Sequence, residues 1–195
     1  MGRVLRIAKQ PGGAPRLRPV EPPFDDDTAA ALRRLGPPIG LFRLFARRPE
    51  RAGAIHGWGR YYLSRQSALS LRHRELVIDR TTALCGAEYE WGIHVAVYAV
   101  KAGLTDDQAA STATGGPADP CWTDDADRVV LRTVDVLHET GDLSDAQWDA
   151  LLAAVGEEGA IDLLLVCGWY HAISFVARVV RLPSEPGTPS FPAGR

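Results

Sequence analysis

Residues 70–104, SLRHRELVIDRTTALCGAEYEWGIHVAVYAVKAGL, leave this chain little choice of fold. Ser70 is a ready N-cap, and Leu71, Glu75, Ile78, Thr82 and Cys85 or Gly86 recur at the spacing of one helix face. Gly86 permits a break. A second helix is predicted over residues 88–102, stopped by Gly103, which suits the left-handed position just past a helix end. The spacing therefore predicts an antiparallel helical hairpin. Glu90 and His94, four residues apart, sit one above the other on the second helix, and the first helix can bring Glu75 to the same pocket. Two carboxylates and an imidazole can move protons near neutral pH, because burial beside another acid raises a glutamate into that range. On a solvated face the Glu90–His94 pair would contribute only about 0.2–0.5 kcal/mol. Its neighbours Ile93, Val95, Ala96, Val97, Tyr98 and Ala99 are apolar, which puts the pair at a rim or inside a pocket.

The 195 residues, 46% of them hydrophobic, are enough for one domain with a sizeable core. A formal net charge of −2 with signs interspersed gives no reason to expect nucleic acid or an anionic membrane as a partner. The longest apolar run, around residues 161–180, is interrupted by Asp162, Gly168, His171 and Arg178, so no membrane span is expected. No signal-peptide pattern opens the chain, and three widely spaced cysteines make no disulfide framework. A reduced, cytoplasmic protein is the expectation.

In chain order, residues 1–23 are rich in Pro, Gly and Arg and read as an extended arm, ordered only if it lies on the body or on a partner subunit. Residues 24–182 read as a single all-helical domain. Asp25, Asp26 and Asp27 open a short helix ended by Gly36, Pro37 and Pro38, and another runs from about Gly40 to Phe45. Pro49 suits the first turn of a helix through Arg65 that would bury Ala54, Ile55, Trp58, Tyr61 and Leu63. Thr105 with Gln108, and Ser144 with Gln147, are capping boxes, and Gly141 ends the helix between them. The last helix, about 159–180, is apolar nearly all round, as expected of a central or interface helix. Residues 183–195, with Pro183, Pro186, Pro189 and Pro192, form a tail without regular structure. No strand-like alternation occurs, so the fold class is all-α.

The segment RELVIDRTTALCGAEYEWGIHVAVYAVKAGLTDDQ resembles the signature region of the carboxymuconolactone decarboxylase / AhpD-like family, in the subgroup carrying Tyr-Glu-Trp (here Tyr89, Glu90 and Trp91) before the histidine. The resemblance implies an AhpD-like helical bundle built on this hairpin, assembled as a homo-oligomer. The family's peroxidase branch places a Cys-x-x-Cys pair seven and four residues before the histidine, where this chain has Ala87 and Glu90. Cys85 is two residues off that register and has no partner at a redox spacing. The decarboxylase branch lacks the pair and works by acid–base chemistry on a lactone or other oxo-acid, with decarboxylation, ring opening or isomerisation as the outcome.

The candidate catalytic residues are accordingly Glu75, Glu90 and His94. Tyr89, Arg80, Trp58 and His171 are candidate substrate-binding neighbours, although Arg80 also suits a structural ion pair and His171 a core position. The partner is a small molecule, and neither a cofactor nor a metal is called for, since Glu90-x-x-x-His94 is a weak metal pattern. Two other readings stay open. One is an AhpD-like peroxidase using Cys85, disfavoured by a position at the negative end of a helix. The other is a non-catalytic oligomeric binding protein.

Overall fold

The computed structural model describes residues 13–193, which hold eight α-helices and no strand. They are α1 (Asp26–Leu35), α2 (Gly40–Phe45), α3 (Pro49–Tyr62), α4 (Leu71–Leu84), α5 (Glu88–Tyr98), α6 (Asp106–Thr114), α7 (Asp125–Thr140) and α8 (Asp145–Val180). The all-α expectation holds, and most boundaries fall where the capping chemistry puts them. Asp25 caps α1, Ser70 caps α4 and Asp124 caps α7, and capping boxes open α6 and α8. Gly86 at φ 66° turns the chain from α4 into α5, and its N–H bonds back to the Ala83 carbonyl.

α4 lies at the centre and packs against α5, α6, α7 and α8. Every residue from Arg74 to Ala83 is buried. Leu76, Val77 and Ile78 join Trp122, Val130, Leu131, Val134, Leu151, Leu163 and Val166 in the main core. Burying so many apolar side chains at about 1.5–3 kcal/mol each is what allows one helix to carry Arg74, Glu75, Asp79 and Arg80 inside the protein. α1, α2 and α3 pack on one another, and Leu41, Leu44 and Phe45 seat this group on Tyr89 of α5 and on Ile173, Ala177 and Val180 of α8.

Several expectations are corrected. α5 ends at Tyr98 rather than 102, and the chain continues as turns to Gly103 at φ 68°. α3 ends at Tyr62, buries Ala52, and leaves Ala54 and Tyr61 exposed. The two helices expected at residues 144–180 are both present within α8, and they abut at the non-helical Gly156 (φ 75°, ψ 173°) instead of being parted by a longer connection. α8 is long and apolar enough to cross a membrane by length and composition, contrary to the expectation that its polar residues exclude this. Within that apolar stretch 44% is buried against the rest of the protein, where Leu163, Val166, Cys167 and Tyr170 join the main core.

Both flanking segments lie on the body where they are described. The Arg16 N–H donates to the Val180 carbonyl, Arg47 to the Arg18 carbonyl, and Arg43 pairs with Glu21. The part of the expected arm before residue 13 lies outside the described residues. The tail is irregular but docked. Phe191 stacks against Trp91 at 5.3 Å, its N–H donates to Glu88, and Tyr89 donates to Glu185 at 2.7 Å. Gly92 makes room for this, since a Cβ there would stand 2.5 Å from the Pro189 carbonyl oxygen.

Candidate active site

A cavity of about 460 Å³ opens between the α1–α3 group and the α5–α8 pair. Its walls are mostly apolar, with Ile39, Leu41, Phe42, Ile93, Trp169 and Ile173 among them. Glu90, His94, Tyr98 and Tyr170 bring the polar atoms, and Arg34, His56 and Arg60 line it as well. The i,i+4 placement of Glu90 and His94 on α5 turns both toward this space.

Behind His94 lies a buried relay. Glu75, fully buried on α4, accepts from His94 Nδ1 at 2.8 Å through one oxygen and from Arg74 at 2.9 Å through the other. With Nδ1–H committed to the carboxylate, His94 Nε2 accepts the Tyr170 hydroxyl at 3.0 Å. Burial, followed by the charges of Glu75 and Glu90, holds Tyr170 well above the usual phenol range, so it stays a donor. Tyr98 stacks on His94 at 5.4 Å, and the Arg74 guanidinium lies over the Tyr98 ring, 5.7 Å from its centroid.

Glu90 contrasts with Glu75. It is 4% exposed, and its Oε1 has no hydrogen-bond partner. Burial pushes its carboxyl up to about 7, against a smaller downward pull from His94. A group half protonated at neutral pH, aimed into an apolar cavity beside a histidine relay, can give or take a proton. Asp79, one turn beyond Glu75, is also buried with both oxygens unpartnered. Burial and then the Glu75 charge raise its carboxyl well above the ordinary value.

The structure thus brings Glu75, Glu90 and His94 together, and separates the four second-rank candidates from the cavity. Tyr89 is buried on the far side of α5, where its hydroxyl accepts from Leu41 N–H and donates to Glu185. Arg80 bonds Asp135 and the Thr112 and Gly115 carbonyls, a structural ion pair under α6. Trp58 stacks on Trp169 at 5.2 Å, so it buttresses a wall residue without lining the space. His171 faces away, toward His138 and Cys85. Sequence reasoning missed Tyr170, the neighbour of His171. The signal was the phase of α8: Leu163, Val166, Tyr170, Ile173 and Ala177 are spaced along one buried stripe, and His171 lies a helical step off it. It also missed Arg74, whose place in the charged run Arg72-His73-Arg74 gives no sign of the buried pair it makes with Glu75.

Cys85 does not line the cavity. It is a buried free thiol whose pKa burial pushes up to about 11. That is the reverse of what a peroxidatic cysteine requires.

The fold and this hairpin site define an all-helical protein of the AhpD-like fold. The chain superposes on the crystal structure of a peroxidase-related protein from Silicibacter sp. TM1040 with a TM-score of 0.77, over 94% of this chain and 99% of that one, at 17% identity. Residues 51–123, which contain the whole hairpin and its Glu75, Glu90 and His94, match the carboxymuconolactone decarboxylase family, as the resemblance of the hairpin implied. No curated protein matches the chain.

Proposed function

We propose that the protein is an acid–base enzyme acting on a small lactone or oxo-acid, by decarboxylation, ring opening or isomerisation. The observation that carries this reading is Glu90: a buried carboxyl with an unpartnered oxygen, poised near pH 7 in an apolar cavity. In its ionised form Glu90 takes a proton from the carbon beside the substrate carbonyl. Tyr170, whose hydroxyl is positioned in the cavity wall by His94 and Glu75, turns to donate its O–H hydrogen bond to the resulting enolate oxygen. Reversing the Glu90 transfer at a different substrate atom completes an isomerisation or protonates the carbanion left by carbon dioxide. Arg34 and Arg60, exposed residues that also line the cavity, suit a carboxylate on the substrate, the role that sequence alone assigned to Arg80. The apolar exposed face of α8, with Ile161, Leu164, Leu165, Phe175 and Val179, supports self-association in a cytoplasmic homo-oligomer.

The test is turnover of a panel of lactones, β-keto acids and organic hydroperoxides by wild type, Glu90→Gln, His94→Gln and Cys85→Ser. Lactone or keto-acid turnover lost in Glu90→Gln and His94→Gln supports the proposal. Peroxide consumption abolished only by Cys85→Ser overturns it in favour of thiol chemistry. Tight binding of a panel member without turnover favours a binding protein.

A further inference from the structure

A second cluster of chemically capable side chains lies apart from the cavity, where the C-terminus of α4, the last turn of α7 and the middle of α8 meet. Cys85 caps α4, His138 lies in the last turn of α7, and His171 projects from α8. One ligand atom from each lies within 4.8 Å of the other two. None of the three lines the Glu90 cavity.

The orientation of His171 is fixed. Its Nδ1 stands 2.8 Å from the Cys167 carbonyl oxygen, which can only accept, so Nδ1 carries the proton and Nε2 presents a lone pair. That lone pair points at His138 Nδ1 at 2.9 Å, with the two rings inclined by 28°. A metal-bound histidine is held in this way, with the ring nitrogen away from the ion donating to a backbone carbonyl. Without a metal, the contact is satisfied by a proton on His138 Nδ1. With that proton gone, two imidazole lone pairs and a sulfur converge on one point.

We propose that Cys85, His138 and His171 form a binding site for a borderline-soft transition-metal ion of the Zn2+ class, with a fourth position left for water. Sulfur with two nitrogens is a donor set that suits zinc and discriminates against Mg2+ and Ca2+. Bonds of about 2.0–2.1 Å to nitrogen and about 2.3 Å to sulfur around a tetrahedral ion place neighbouring donors roughly 3.3–3.6 Å apart. The histidine nitrogens, 2.9 Å apart, must therefore separate by a few tenths of an ångström, and the donors that stand up to 4.8 Å apart must close by up to roughly 1.2 Å, movements within the reach of side-chain torsions. Binding releases the Cys85 thiol proton to solvent, while His138 exchanges its Nδ1 proton for one on Nε2 and stays neutral, and no oxidant or reductant enters. Arg80 and Asp135, paired with each other, and Glu139 face His138, while the Arg178 guanidinium, 2.6 Å from the Cys85 carbonyl oxygen, favours the Cys85 thiolate that a metal would bind. An ion here ties the ends of α4 and α7 to α8.

The test is titration of the metal-free full-length protein with Co2+ as a spectroscopic probe, followed by displacement with Zn2+. The expected result is one equivalent of Co2+ giving four-coordinate ligand-field bands and a thiolate-to-metal charge-transfer band, both removed by Zn2+. His138→Gln and His171→Gln should weaken Co2+ binding by at least about 10–100-fold, and Cys85→Ser should abolish the charge-transfer band. His138 is only half-buried, so its variant is the one expected to fold normally, and Zn2+ should raise the melting temperature of wild type but not of His138→Gln. Absence of a charge-transfer band in wild type would overturn the proposal, as would unchanged binding in folded His138→Gln. Cys167 Sγ lies 3.9 Å from His171 Nδ1, so a band lost only in Cys167→Ser would overturn the ligand set.

Discussion

Replacing Glu90 with glutamine isolates the titration on which the proposed chemistry depends. In the unfolded chain Glu90 has the ordinary value of 4.5, and in the fold it is raised to about 7. A carboxyl raised on folding binds its proton more tightly in the native state, so its contribution is most favourable below the unfolded value. Stability is lost as pH climbs from about 4.5 through about 7, and then levels off. At 1.36 kcal/mol per pKa unit, the full span is about 3 kcal/mol, most of which falls between pH 5 and pH 8. Glutamine keeps the shape and cannot ionise. The assay is urea denaturation of wild type and Glu90→Gln at steps from pH 5 to pH 8, read as the difference between the two proteins. Subtraction removes every other titrating group that the variant leaves undisturbed. Wild type should lose about 2–3 kcal/mol relative to Glu90→Gln across that range. A difference that stays flat would refute the reasoning, because the carboxyl would then be solvated or paired and could not serve as a proton donor and acceptor at neutral pH.

Glu75→Gln leaves the Arg74 guanidinium buried without its carboxylate, so it should cost about 3–5 kcal/mol in urea denaturation, far more than Glu90→Gln at low pH. Tyr170→Phe removes only the hydroxyl on His94 Nε2 and should cost about 1 kcal/mol of stability, while turnover of the panel substrate falls by about 100-fold or more. Gly92→Ala sets a methyl group against the Pro189 carbonyl oxygen, so the tail should lift. Limited proteolysis after residue 183 should then be faster in that variant, despite the gain of about 1 kcal/mol in helix propensity.

Most of the architecture was legible in the sequence because local chemistry sets it. Aspartate and serine caps, two capping boxes, and glycines at helix ends fixed where helices start and stop. The four-residue spacing of Glu90 and His94 fixed their common face. Glu75 reached the same site because the break at Gly86 is too short for any pairing but the antiparallel one. What the sequence could not supply was the rotational phase of helices that are apolar or polar all round. On α8, Tyr170 and His171 are adjacent in sequence, and only packing against α4 and α5 turns the tyrosine to His94 and the histidine to His138. On α4, Arg74 looks solvated and Arg80 looks available. The tertiary structure buries both, one on Glu75 and the other on Asp135. The same burial raises Glu90 and Asp79 and suppresses Cys85 as a thiolate, since desolvation depends on everything packed around a group and not on its neighbours along the chain.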